Sequence, residues 1–285
     1  MTTINFAAFD DTPTRNGILA TAGPGDEVDS GWVPPHLRDT NAAVAHAIAM
    51  DSIPRFLLVG AFANAASKAC LWDCWPAAYP KGWRGVRQNT GACVGAGGGN
   101  ALFSLACADV IKRRDPERVV VPFWLLPYGI SRMLAGMNDR GDGSVGSTFA
   151  AAIRTYGHLN ADDTGDQLML PPYEVDDGVS WGKDAELNWS QGRKIPKKHL
   201  DFARPHLVKS TAKCRTTDDV RDALLSYYPV LHASSWGGMM APPVKGVGAN
   251  ARLLNRRATT WHHQMSCHGW EDHPEHGEIF YIMNQ

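Results

Sequence analysis

The stretch Gln88-Asn89-Thr90-Gly91-Ala92-Cys93-Val94-Gly95-Ala96 puts a glycine-bearing loop directly before the longest apolar run of the chain. That run holds Ala101, Leu102, Phe103, Leu105, Ala106, Val110 and Ile111 and stops at Arg113-Arg114, ahead of Asp115-Pro116. The pattern predicts a long, mostly buried helix opening at Cys93, with basic residues at the C-terminal end, where the helix dipole favours them. A cysteine at a helix N-terminus is a candidate nucleophile, because the dipole and the free N–H groups there stabilise a thiolate. The same amides, that of Cys93 included, can donate to the oxyanion formed when sulfur attacks a carbonyl. Gly95, Gly97, Gly98 and Gly99 crowd the first turns. Each glycine inside a helix costs about 0.5–1 kcal/mol relative to alanine, so the run implies close packing or a distorted start.

A thiol nucleophile needs a base within hydrogen-bond reach. Of eleven histidines, His263 lies on a predicted strand, 262–269, joined by a charged turn, 271–277, to a second strand, 278–284. Alternation sets His263, Met265 and Cys267 on one face and His262, Gln264, Ser266 and His268 on the other. His262 is the rival base, since a slip of one residue exchanges the faces. If the two strands pair as a hairpin, Asn284 falls beside His263, where its amide would accept from the imidazole N–H and fix the tautomer.

Working outward, the 285 residues suffice for a full core without disulfide staples. With 44% apolar and 20% charged residues the chain is expected to fold. Lys+Arg against Asp+Glu is 28 against 29; that balance, with no basic stripe, argues against a nucleic-acid partner. No run of 18 consecutive apolar residues occurs and the N-terminus carries no secretory pattern, so no membrane is expected, and a cytoplasmic or virion-associated chain is. In a reducing compartment Cys70, Cys74, Cys93, Cys107, Cys214 and Cys267 would be thiols, most of them buried filler.

Residues 1–40, rich in Thr, Asp, Gly and Pro, read as an irregular arm, followed by helices over 41–50 and 55–69. Residues 1–80 are therefore expected as an N-terminal arm and helices, a cover or docking region open to protein partners, and 81–285 as the main domain. In that domain 119–132 leads into a Gly/Asp loop, Ser144 caps a helix over 145–156 closed by Gly157, and 160–205 is a surface excursion. Thr216 or Thr217 caps a helix over 218–226, and a strand starts at Pro229. Helices come first and strands later, which is α+β segregation.

These features resemble the papain-like cysteine peptidases, in particular their divergent microbial and phage branch. Gln-x-x-Gly-Ala-Cys93-Val-Gly opening a long helix looks like the family's nucleophile motif. Asp142-Gly-Ser with Ala150 to Gly157 looks like the segment after the central helix, and Asp218 to Val230 like the short helix and strand before the histidine. His263 with Gly269-Trp270 six residues on, and Ile282-Met283-Asn284, resemble the strands bringing the family's His and Asn. The resemblance covers roughly residues 80–285. It implies a two-lobed α+β fold, a helical lobe around the Cys93 helix and an antiparallel sheet lobe. It further implies Cys93 as nucleophile, His263 as base, Asn284 as orienting residue, Gln88 as oxyanion donor, a peptide or protein substrate, and no metal or organic cofactor. The chain departs from the family in three places: Gln88 precedes Cys93 by five positions, Val94 replaces the usual aromatic, and Gln285 stands where the family continues Ser-Trp-Gly.

Other readings compete. A papain-like module with little catalysis, serving as a structural or interaction protein in a phage virion, is the alternative. His262, His263, Cys267, His268, Asp272, His273 and His276 crowd the C-terminus, but a strand separates His263 from Cys267 by about 13 Å at roughly 3.3 Å per residue, too far to share one metal ion. The acidic spacing of 138–147 does not suit calcium, and Gly95–Gly99 lacks the Gly-Lys-Ser/Thr ending of a phosphate loop.

Overall fold

The computed structural model describes residues 5–10, 18–21, 45, 48–49, 53–54, 56, 66–116, 118–138, 141–162, 168–175, 178–243, 252–274 and 277–283, the stretches 5–10, 18–21, 234–243 and 252–261 by backbone alone. The strands are β1 (Asn5–Asp10), β2 (Ile18–Thr21), β3 (Lys68–Cys70), β4 (Pro122–Phe123), β5 (Leu159–Asn160), β6 (Ser210–Cys214), β7 (Val230–Pro243), β8 (Arg252–His273) and β9 (Gly277–Met283). The helices are α1 (Trp75–Ala78), α2 (Cys93–Lys112), α3 (Leu125–Leu134), α4 (Gly146–Thr155), α5 (Gly182–Trp189), α6 (Lys197–Ala203) and α7 (Thr217–Leu225).

Helix α2 starts at Cys93, as the loop-to-apolar transition predicts, and is buried on nearly every side. A helix apolar all round belongs in a core. It is long and apolar enough to cross a membrane, yet most of it is covered by the rest of the fold. Its glycines answer the packing question. A Cβ on Gly95 would stand 2.5 Å from the Trp124 ring, and one on Gly98 2.1 Å from Phe149. The helix surrenders side chains so that two large aromatics can lie against its backbone.

Around α2 gathers a first core with Phe103, Leu105, Phe123, Trp124, Tyr128 and Phe149, to which Leu231 and Ala233 contribute from the sheet. A second core lies within the sheet lobe, with Val220, Leu224, Met265, Cys267, Phe280 and Ile282. One seven-stranded sheet runs β2-β9-β8-β7-β1-β6, with β3 also on β8. The expected hairpin is present, β8 and β9 pairing antiparallel with Trp270 opposite Phe280 and Ser266 opposite Met283.

Several expectations are corrected. The sheet is mixed, because β1 lies parallel to β6 and β7, and β2 parallel to β9. Two pieces of the expected irregular arm thus form strands, and the sheet draws on both sides of the 80/81 boundary. Lys68 and Ala69, expected to end a helix, instead form strand β3 with Cys70, which pairs with Gly269–Glu271. The segment after Phe123 is helix α3, although it carries Pro127 and Gly129. Its apolar residues from Leu125 to Ile130 are buried, and Gly129 passes so close to Trp189 that a Cβ would stand 2.1 Å from that residue's carbonyl oxygen. Tertiary packing overrides local propensity there. Ser144 does not cap α4; Val145 takes that position, and the Ser144 hydroxyl bonds Ser131. Gly157, at φ +81°, does close the helix. Thr216 caps α7, accepting from Asp219 N at 3.1 Å.

Candidate active site

The loop from Gly85 to Ala92 delivers Cys93, and neighbours fix it residue by residue. Val86 N donates to Asn100 Oδ1 of α2 at 2.9 Å, and Arg87 N to the Val179 carbonyl at 2.9 Å. Asn89 and Thr90 are held by Glu186 of α5. Gly91 N donates to Asp142 Oδ2 at 3.1 Å, while the Gly91 carbonyl accepts from the buried Tyr128 hydroxyl at 3.4 Å. Ala92 starts the helix, its carbonyl accepting from Gly95 and Ala96. Nothing in that loop sequence is itself helical or extended, so its shape comes from these partners.

From the sheet side, β8 reaches the same point. The backbone N–H of Gln264 donates to Cys93 Sγ at 3.4 Å, and Gln264 Nε2 donates to the Val94 carbonyl at 3.2 Å. The structure thus brings Cys93 of the helical lobe against the residue that follows His263. His263 is 3% exposed and pairs with Ser234 of β7; the next pair along is Trp236 with Thr260. Three residues of β8 therefore match two of β7 just before His263. Such a bulge re-aims side chains and is common beside functional sites. Beyond it the alternation holds: Met265 and Cys267 enter the sheet-lobe core, while Gln264 and His268 meet the helical lobe, His268 edge-on to Trp75 with ring centroids 5.8 Å apart.

Gln88 is half-buried in the loop, and its Oε1 is a buried atom without a hydrogen-bond partner among the described residues. Asn284 lies outside the described residues; the register runs to Met283, opposite Ser266. Among the described residues no group of three or more His, Cys, Asp or Glu side chains is arranged to hold a metal ion.

Charge in the surroundings is set by burial. It pushes the thiols of Cys70 and Cys267 up to about 12 and raises those of Cys74, Cys107 and Cys214, so these five are protonated at neutral pH. His232 shares the β7–β8 surface with His263, its partner Met265 standing two positions on. Burial, with His263 beside it, pushes His232 down to about 4 and keeps it neutral. Sequence reasoning passed over two groups, His232 and Glu186. Alternation along β7 would have put His232 and Ser234 on one face; nothing in the sequence around Glu186 marks it out. A cavity of about 170 Å³ opens at the far end of α2, lined by Leu105, Arg118, His158 and Lys209 among others.

No known family's sequence profile matches the chain, and no curated protein matches it by sequence. Solved structures do. Xylellain, a cysteine protease from Xylella fastidiosa, superposes with a TM-score of 0.53 over 96% of this chain and 92% of its own, at 14% identity. Looser likenesses are procathepsin B from Trypanosoma congolense (TM-score 0.48, 9% identity, 86% of this chain and 84% of that one) and digestive procathepsin L 3 of Tenebrio molitor larval midgut (0.44, 12%, 85% and 74%). With a helical core built on α2, a sheet lobe carrying β8 and the two meeting where Cys93 touches Gln264, the chain has the two-lobed papain-like α+β fold.

Proposed function

We propose that the chain is a cysteine peptidase or related amide-bond hydrolase acting on a peptide or protein, with Cys93 as nucleophile, His263 as base, Asn284 as orienting residue and Gln88 as oxyanion donor. The observation that carries this reading is the 3.4 Å contact of Cys93 Sγ with the Gln264 N–H, which sets the first residue of the central helix beside the His263 position. In the reaction the Cys93 thiolate attacks the amide carbon, and the oxyanion is received by Gln88 and the Cys93 N–H. The C–N bond breaks as His263 protonates the leaving amine, giving a thioester. Water, deprotonated by His263, then releases the acid and restores the thiol. All four groups fall within residues 81–285; the first 80 residues add strands to the sheet.

A second reading has its own observation. Cys93 has no exposed surface, which suits a papain-like module that has lost turnover and serves as a structural or interaction protein. Alkylation with iodoacetamide at neutral pH, with peptide mapping, separates the two. The hydrolase requires that Cys93 label far ahead of the other five thiols, that His263→Ala slow it, and that Cys93→Ala abolish hydrolysis of fluorescein-labelled casein. Uniform slow labelling with no casein hydrolysis would leave the inert module.

A further inference from the structure

One buried acid in the helical lobe has no part in the chemistry above. Glu186 of α5 is 0% exposed. Its Oε1 accepts from the Asn89 backbone N–H and from Asn89 Nδ2, each at 2.9 Å, and its Oε2 accepts from Thr90 Oγ1 at 2.8 Å and the Asn89 N–H at 3.0 Å. Asn89 Nδ2 also donates to Ser180 Oγ at 2.8 Å. These donors are all neutral, and among the described residues no cation pairs with the carboxylate. Burial raises its affinity for a proton while the bonds from Asn89 and Thr90 lower it.

A carboxylate without a cation is an expensive way to hold a loop, and an apolar side chain would fill the same space at less cost. What the charge adds is direction: charge-assisted bonds are short and angular, and together they fix the rotation of two consecutive peptide units. Those two units lie between Gln88 and Cys93. Asp142 holds the next residue, Gly91, from the other side. The loop is therefore fastened at every position between the side-chain oxyanion donor and the backbone one.

We propose that Glu186 is a positioning residue, clamping Asn89 and Thr90 so that Gln88 and the Cys93 N–H are aimed at the substrate oxyanion. The proposal rests on the hydrolase reading and is separable from it, because alkylation of a thiol needs no oxyanion donor and amide hydrolysis does.

The test measures two rates and a melting curve on the full chain. Glu186→Gln is expected to lower kcat for fluorescein-labelled casein by about 10- to 100-fold with KM within about threefold, the size of effect a misaimed donor produces. Iodoacetamide alkylation of Cys93 stays within about threefold of wild type. Thr90→Val, which cuts the same clamp at its other end, lowers kcat in the same direction, and the double variant loses no more than the more impaired single one. Should Glu186→Gln fail to fold, Thr90→Val alone must show the split between hydrolysis and alkylation. Unchanged kcat, or hydrolysis and alkylation falling together with the melting temperature, overturns the positioning role. A wild-type chain that neither hydrolyses casein nor labels selectively at Cys93 overturns the hydrolase reading beneath it.

Discussion

Gln264 and Gly146 meet so closely that a Cβ on the glycine would stand 2.2 Å from Gln264 Oε1. Gln264 is buried, its amide nitrogen donating to the Val94 carbonyl and its backbone N–H to Cys93 Sγ. One side chain thus spans from the first residue of α4 to the first turn of α2, joining the two helices.

Gly146→Ala must push this side chain aside. Gly146 has an ordinary φ, so the cost is steric, and a Gln264 amide displaced from Val94 loses a buried hydrogen bond, about 1 kcal/mol, with some overpacking besides. We expect Gly146→Ala to lower stability by about 1–3 kcal/mol in urea unfolding. Adding Gln264→Ala to it should recover part of that loss relative to the sum of the single changes. Strict additivity would show that the two residues do not press on each other.

Gly98→Ala sets two effects of opposite sign against each other. Alanine gains about 1 kcal/mol over glycine within a helix. The added methyl, however, would lie 2.1 Å from the Phe149 ring, which is itself fully buried. Overpacking of a rigid ring costs about 1–3 kcal/mol or more, so the balance is destabilising. A melting temperature equal to or above wild type would show that α4 can shift to make room.

The Cys93 helix, the α7 cap and the final hairpin were legible because each is a local signal: an apolar run, a Thr capping an Asp-rich turn, two alternating strands around a charged loop. The papain-like fold followed from those pieces and their order. What escaped depended on distant partners. Helix α3 was masked by Pro127 and Gly129, and its glycine makes sense only once Trp189 lies over it. Strands β1 and β2 sit in Thr-, Asp- and Gly-rich sequence, and the pairing to β7 and β9 bridges more than 200 positions of chain. Glu186 falls in 160–205, which reads as a polar surface excursion, whereas it is buried by the loop it holds.

Acid should weaken the fold through His268. Burial against Trp75 pushes this imidazole down to about 3, with Nε2 bonded to Ser266 Oγ at 2.7 Å and no partner on Nδ1 among the described residues. In the unfolded chain it titrates near 6.5, so below that pH the unfolded state binds a proton that the folded state refuses. Its stabilising contribution is complete above pH 6.5 and falls by about 1.4 kcal/mol per pH unit as the pH drops toward 3. His268→Phe keeps an aromatic ring against Trp75 and removes the proton. The slope of unfolding free energy between pH 4 and 6 should decrease by about one proton's worth; an unaltered slope would mean that His268 is already charged in the native state.

The loop bearing Asp142 depends on Arg132. This guanidinium is 0% exposed and donates to four backbone carbonyls, those of Ser190 at 2.9 Å, Met137 at 2.7 Å, Gly141 at 2.6 Å and Gly143. Three of these acceptors lie in 137–143, and the fourth ends α5, so one side chain anchors both the Asp142 loop and the helix carrying Glu186. Arg132→Met preserves the bulk and strands the acceptors, each unsatisfied carbonyl costing about 1–3 kcal/mol. We expect a loss of at least about 3 kcal/mol, or about 5 °C or more in melting temperature at this chain length. Because Gly91 hangs from Asp142 and Asn89 from Glu186, the loosened loop should also bring down casein hydrolysis at temperatures where the protein is still folded. Arg132→Lys, with one cationic centre in place of a planar fork, cannot reach all four carbonyls at once and should fall between the two. A lysine variant as stable and active as wild type would show that the charge alone, and not the fork, organises this side of the site.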